Sequence, residues 1–143
     1  MTIQRPVTIV MIEDDDGHAR LIEKNIRRAG VCNDIRHFAS GTAAVEHLFN
    51  GESIEERPIL VLLDLNLPDM SGTDILARIK ADPRMRRAPV VVLTTTDDQR
   101  EIQRCYDLGC NVYITKPVSY ESFAQAIRQL GLFLSVMQIP EAP

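Results

Sequence analysis

An acidic run, Glu13-Asp14-Asp15-Asp16, directly follows the apolar stretch Val7 to Ile12. A further aspartate, Asp64, directly follows Ile59 to Leu63 within Val-Leu-Leu-Asp-Leu-Asn-Leu-Pro-Asp-Met-Ser-Gly. Carboxylates brought within a few ångströms raise one another's pKa unless a cation neutralises them. Oxygen-only ligands of this charge suit magnesium, which takes one or two carboxylates, keeps waters and accepts phosphate oxygens; manganese accepts the same donors. Two more polar side chains stand at the ends of apolar runs: Thr94 after Val90 to Leu93, and Lys116 after Val112 to Thr115 and before Pro117. A carboxylate nucleophile attacking phosphorus needs positioning and charge neutralisation, which a divalent ion, a lysine and hydrogen-bond donors supply. Acidic residues after a strand often only solvate a loop and cap the next helix, and that reading suffices for Asp15 and Asp16. It fails for Asp64, which continues an apolar run to the mouth of a buried strand and so needs a charged partner or a ligand.

The elements that must position these groups alternate along the chain. Short apolar, often β-branched runs at Val7 to Ile12, Ile35 to Phe38, Ile59 to Leu63, Val90 to Leu93 and Val112 to Thr115 predict five strands, with a helix in every gap and one after the last. The first helix is expected from about Asp16 to Ala29, closed by Gly30, and the fourth is closed by Gly109. Ser40, Ser71, Asp97 or Asp98, and Ser119 are the expected N-caps of the later helices. The third and fourth strands are apolar without alternation, as in a parallel sheet covered on both faces. A doubly wound α/β sheet results, and such sheets hold ligands at the carboxyl ends of their central strands. The polar segment Asn50 to Pro58 reads as a surface loop.

With 143 residues and 45% hydrophobic content, the chain has the size of one domain with one core. A net charge of −4 disfavours nucleic-acid binding through the bulk surface. Cys32, Cys105 and Cys110 form no C-x-x-C pair and point to neither disulfides nor zinc, which fits a reducing cytoplasm. The apolar run Val7 to Ile12 is too short for a signal peptide or a membrane span. His18, His37 and His47 share no ligand spacing and are expected to be surface or half-buried side chains.

The acidic pair after strand one, the aspartate after strand three, the threonine after strand four and the Lys-Pro after strand five together resemble a response-regulator receiver domain. The spacings from Asp64 to Thr94 and from Thr94 to Lys116 match that family. The stretch from Asp14 to Asp64 is somewhat long, a surplus assigned to the Asn50 to Pro58 loop. The resemblance runs from Val7 to about Leu130. It implies a flavodoxin-like fold with strand order 2-1-3-4-5, and Asp64 as the acceptor of a phosphoryl group from a histidine kinase. It further implies Asp14 and Asp64 as direct magnesium ligands, the backbone carbonyl of Asn66 as a third, and Glu13 as a ligand through water. Lys116 resembles the lysine that binds phosphoryl oxygen, Thr94 the hydroxyl that moves to meet it, and Tyr113 the aromatic switch that answers. Thr96 occupies a position that in this family influences how water reaches the acyl phosphate. Within the family, the long loop before strand three, Thr-Thr-Thr-Asp-Asp, Lys-Pro-Val and the apolar tail resemble the small regulators paired with bacterial phytochrome kinases.

A phosphatase or dehalogenase with an aspartate nucleophile would also use a strand-end Asp, magnesium and a lysine. Those enzymes share Asp-x-Asp, whereas this chain has Asn66 in the second position and no length for a cap domain. A receiver fold that has lost its chemistry is opposed by the full set Glu13, Asp14, Asp64, Thr94 and Lys116. A dinucleotide-binding fold lacks its Gly-x-Gly-x-x-Gly after the first strand. The last helix carries a core-facing stripe of Phe123, Ile127, Leu130, Leu134 and Met137. Past Gly131 it turns apolar all round, with Leu132, Phe133, Val136 and Ile139, so an extension at about 131–139 is expected to pack on a second copy as a twofold homodimer.

Overall fold

Alternating side-chain directions along a strand send consecutive residues to opposite faces of a sheet, so the unbroken apolar runs of this sequence demand cover on both sides. The computed structural model, which describes residues 6–50, 53–54 and 56–130, provides it. In chain order the elements are β1 (Thr8–Ile12), α1 (Asp16–Arg28), β2 (Ile35–Phe38), α2 (Gly41–Leu48), β3 (Ile59–Leu63), α3 (Gly72–Ala81), β4 (Val90–Thr94), α4 (Gln99–Leu108), β5 (Val112–Thr115) and α5 (Tyr120–Leu130). The strands form one parallel sheet in the order β2-β1-β3-β4-β5. The expected five-strand, doubly wound fold is thus the observed one, with β4 reaching one residue further so that Thr94 ends the strand itself.

The strand alternation sorts the core into two halves. Ile9, Met11, Leu60, Leu62, Val91 and Leu93 pack under α1 and α5 with Ile22, Ile26, Phe123 and Ile127. Val10, Ile12, Val61, Leu63, Val90 and Val92 pack under α2, α3 and α4 with Leu48, Ile75, Leu76, Ile79 and Cys105. Each fully buried Leu or Ile contributes roughly 1.5–3 kcal/mol relative to exposure, enough in sum to offset the charges held at one edge. The register matches Ile12 with Leu63, Leu63 with Val92, and Thr94 with Thr115, so the carboxyl ends of β1, β3, β4 and β5 come level.

Helix ends follow the sequence signals closely. Asp15 caps α1 by accepting from His18 N–H at 2.9 Å, Ser40 caps α2, Ser71 caps α3, and Asp98, rather than Asp97, caps α4. Ser119 Oγ accepts from Ser122 N–H at the start of α5. At the other ends Gly30 and Gly109 adopt φ of +88° and +107°, the left-handed geometry that glycine enters without penalty. There the next residue's N–H reaches back over the last turn, Val31 to Ile26 and Cys110 to Cys105. The segment read as a surface loop is also anchored: Ile54 N–H bonds Arg84 O, and Arg57 donates to the His47 and Leu48 carbonyls at the end of α2. All three cysteines are free thiols, with Cys105 and Cys110 buried.

Asp69, in the β3–α3 connection, holds a second helix start. Its carboxylate accepts from the Gly41 and Thr42 N–H groups at 2.9 and 2.7 Å and from the Thr42 hydroxyl. The Thr42 hydroxyl foremost, then the two N–H groups, hold its pKa at about 2 against an ordinary 3.8. A depressed folded-state pKa contributes stability that is complete above the ordinary value and lost as the pH falls through the folded one. The unfolding free energy of the wild type is therefore expected to drop more between pH 4 and pH 2 than that of Asp69→Asn, measured by urea titration. Parallel pH profiles for the two proteins would show that this link carries no stability.

Candidate functional site

Glu13 leaves the end of β1 with its N–H on the Phe38 carbonyl, and Asp64 leaves the end of β3 with its N–H on the Ile12 carbonyl, both at 3.0 Å. These backbone bonds continue the sheet one residue past the strands, which is why two carboxylates stand side by side at its edge. Glu13 is 1% exposed and Asp64 5%. Asp14 joins them from the exposed side, and carboxylate oxygens of all three lie within 4.8 Å of one another. Lys116, from the end of β5, is fixed by its own N–H on Thr94 O at 2.8 Å. Its ammonium lies 3.1 Å from Asp64 Oδ2 and makes an ion pair with Glu13 Oε1.

Three carboxylates thus face one ammonium. Burial pushes the Glu13 carboxyl above its ordinary value; the Lys116 hydrogen bond opposes this and neighbouring Asp64 adds to it. An all-oxygen donor set with surplus negative charge is suited to a small divalent cation. Among the described residues, Glu13, Asp14 and Asp64 form a group that could hold one.

Asn66 lies beside the cluster. Its backbone N–H donates to Asp64 Oδ1 at 3.1 Å, and its side-chain amide donates to Thr94 Oγ1 at 3.3 Å. Thr94 is fully buried at the end of β4. Tyr113 is half-buried on the α4 side, with its hydroxyl donating to Thr96 O at 2.8 Å and its N–H donating to the Tyr106 hydroxyl at 3.2 Å. Burial, with lesser contributions from Cys105 and nearby acidic groups, pushes the Tyr113 phenol to about 12, so it stays a hydrogen-bond donor throughout the physiological range. Asp15 and Asp16 take no place in the cluster; Asp15 is the α1 cap. Leu132, Phe133, Val136 and Ile139, expected on a dimer surface, lie outside the described residues.

Several residues at the site escaped the sequence reading. His18 Nδ1 is 3.2 Å from the Lys116 ammonium and 3.9 Å from Glu13 Oε1, and His37 Nε2 is 2.6 Å from the Glu13 carbonyl oxygen. Neither has metal-ligand spacing, but the first turn of the helix that starts at this edge was the signal for His18. Gly72 opens α3 against the Asp64 peptide: a Cβ there would come within 2.6 Å of both Asp64 O and Leu65 Cα.

A parallel sheet ordered 2-1-3-4-5, with an acidic cluster at its central carboxyl edge and a lysine and a threonine on the adjoining strand ends, is the arrangement of a signalling receiver domain. The chain matches the response regulator receiver domain over residues 9–128 and belongs to that family. It is 70% identical to a receiver domain of known crystal structure from Rhodospirillum rubrum, covering 95% of this chain and 99% of that one with a TM-score of 0.75. Response regulator Rcp1 of Synechocystis is 32% identical over 96% of this chain and 95% of its own length. Its manganese-bound structure covers 95% of this chain and 100% of that one at 31% identity, with a TM-score of 0.71. The bacteriophytochrome response regulator AtBRR is 31% identical, covering 91% of this chain and 96% of that one with a TM-score of 0.77. Among the described residues no helix is long and apolar enough to cross a membrane.

Because the atoms facing Gly72 are backbone, a methyl group there must push α3 away from the Asp64 peptide. Alanine's better helix propensity is worth at most about 1 kcal/mol, less than the roughly 1–3 kcal/mol typical of overpacking. Gly72→Ala is expected to lower the urea midpoint with an unchanged slope. A midpoint at or above the wild-type value would show that the helix has room to retreat.

Proposed function

We propose that this protein is a cytoplasmic response regulator that accepts a phosphoryl group on Asp64 from the phosphohistidine of a sensor kinase. The observation that carries this reading is the buried Asp64 carboxylate, 3.1 Å from the Lys116 ammonium and inside a three-carboxylate cluster. In the transfer, an Asp64 carboxylate oxygen forms a bond to phosphorus as the donor's phosphorus–nitrogen bond breaks, and the departing imidazole takes up a proton. Lys116 stands ready to meet a phosphoryl oxygen, and Glu13, its other anionic partner, keeps the ammonium at the site. Thr94, fixed at the strand end, presents a hydroxyl on the neighbouring side.

Glu13, Asp14 and Asp64 with the Asn66 backbone carbonyl would hold magnesium, Glu13 through water, and manganese could replace it. When bound, such an ion neutralises the charge that gathers on phosphoryl oxygens. The manganese-bound form of Rcp1 supports a divalent site in a related chain. Likeness to AtBRR supports a bacteriophytochrome as the sensor kinase. The signal then passes through the loop after β4: a hydroxyl drawn toward the new phosphoryl group moves Thr94, and Tyr113, bonded to Thr96 in the same loop, repacks. Thr96 stands where it would meter water reaching the acyl phosphate. The output is a changed surface for a protein partner, without nucleic acid or membrane contact, and self-association runs through Leu132, Phe133, Val136 and Ile139.

Incubation with a phosphorylated kinase or with acetyl phosphate is expected to label the wild type stoichiometrically and to leave Asp64→Asn unlabelled. Label retained by Asp64→Asn would overturn the assignment of the acceptor, and repeated turnover of a small phosphoester would favour a hydrolase instead.

A further inference from the structure

An ammonium carries three N–H donors, and Lys116 faces three acceptors: Glu13 Oε1, Asp64 Oδ2 and His18 Nδ1. Its side chain is 7% exposed, so water has little room to supply a missing partner. Two of the acceptors are buried carboxylates. The third is an imidazole whose side chain is 47% exposed. An ammonium has no lone pair to offer, so in its hydrogen bond with Lys116 at 3.2 Å the His18 Nδ1 is the acceptor.

The place of the ring sharpens its role. His18 and Lys116 line the same cavity of about 250 Å³ together with Leu21, Thr95 and Val118. Asp15 sets the ring there, because its cap on the His18 N–H fixes the first turn of α1 against the site. With only Glu13 and Asp64 as partners, the ammonium would be drawn down between two carboxylates. The His18 acceptor adds a third point of attachment, from α1.

We propose that His18 is a positioning residue for phosphoryl transfer: as an acceptor at Nδ1 it holds the Lys116 ammonium in place beside Asp64, where a phosphoryl oxygen will arrive. This rests on the reading of Asp64 as acceptor. Preorganisation of this kind acts on the transfer rate and leaves the carboxylates that would hold a cation untouched.

The test compares His18→Ala, His18→Leu and His18→Asn with the wild type and Asp64→Asn, using acetyl phosphate as donor at saturating magnesium. Asn places Oδ1 at the same position along the side chain as Nδ1, whereas Leu keeps bulk without an acceptor. The Ala and Leu variants are expected to be phosphorylated about tenfold more slowly, the scale of a lost hydrogen bond to a charged group. His18→Asn should recover most of the rate, and magnesium affinity should stay the same in all. Should Ala lower stability, the Leu and Asn pair, matched in unfolding midpoint, decides. Equal rates in Leu and wild type, equally slow rates in Leu and Asn, or a defect seen with a kinase but not with acetyl phosphate would each overturn the proposal. Labelling of Asp64→Asn, or none of the wild type, would instead bring down the reading on which it rests.

Discussion

Glu13, Asp64 and Lys116 meet where less than a tenth of each side chain touches water, and Asp14 brings a third carboxylate within 4.8 Å. In so dry a place an uncompensated carboxylate tends to take up a proton, and the raised Glu13 pKa is that tendency at work. One ammonium balances one of the three charges. The remainder of the site follows from this imbalance: it leaves a demand for further positive charge, and it keeps Lys116 anchored on the anions. Removing one partner of a buried ion pair typically costs about 3–5 kcal/mol because the other is stranded, so Glu13, Asp64 and Lys116 act as a unit, with exposed Asp14 adding charge at its rim.

Holding such a unit requires a scaffold that does not yield. The five parallel strands supply it by backbone bonds that run one residue past the strand ends, fixing Glu13, Asp64 and Lys116 relative to one another. Gly72 lets α3 close on the Asp64 peptide, and Asp69 ties the same connection to α2. By contrast, Thr95, Asp97 and Asp98 after β4 are exposed, and Thr96 in the same loop is tethered by Tyr113 through one hydrogen bond. Segments with few buried contacts reorganise most cheaply, so a rigid reaction site adjoins the part of the fold best able to respond.

Much of this was legible in the chain itself, because strand ends and helix caps are local signals. Apolar runs broken by Glu13, Asp64, Thr94 and Lys116 located the edge of the sheet, and Ser40, Ser71 and Gly109 located helix ends. The resemblance to receiver domains then supplied strand order and roles that periodicity alone does not carry. His37 was missed because its relevance comes from β2 lying against β1, a tertiary fact with no spacing rule, and His18 because its place in the first turn of α1 was weighed only against metal-ligand spacing. Asp69 was missed because it caps a helix that precedes it in the chain, whereas capping is normally read from the residue just before the helix. Gly72 looked like any glycine after a serine until the Asp64 backbone was placed beside it.

The charge imbalance is tested most directly by unfolding the wild type and Asp14→Ala over a magnesium titration. A ligand that binds only the folded state stabilises by RT ln(1 + [L]/Kd), about 2.7 kcal/mol at a hundredfold excess over Kd. The wild type should therefore gain stability steadily through the millimolar range, while Asp14→Ala, with one carboxylate fewer, should begin more stable without magnesium and gain little from it. A wild type indifferent to magnesium, or an equal gain in both proteins, would contradict the account.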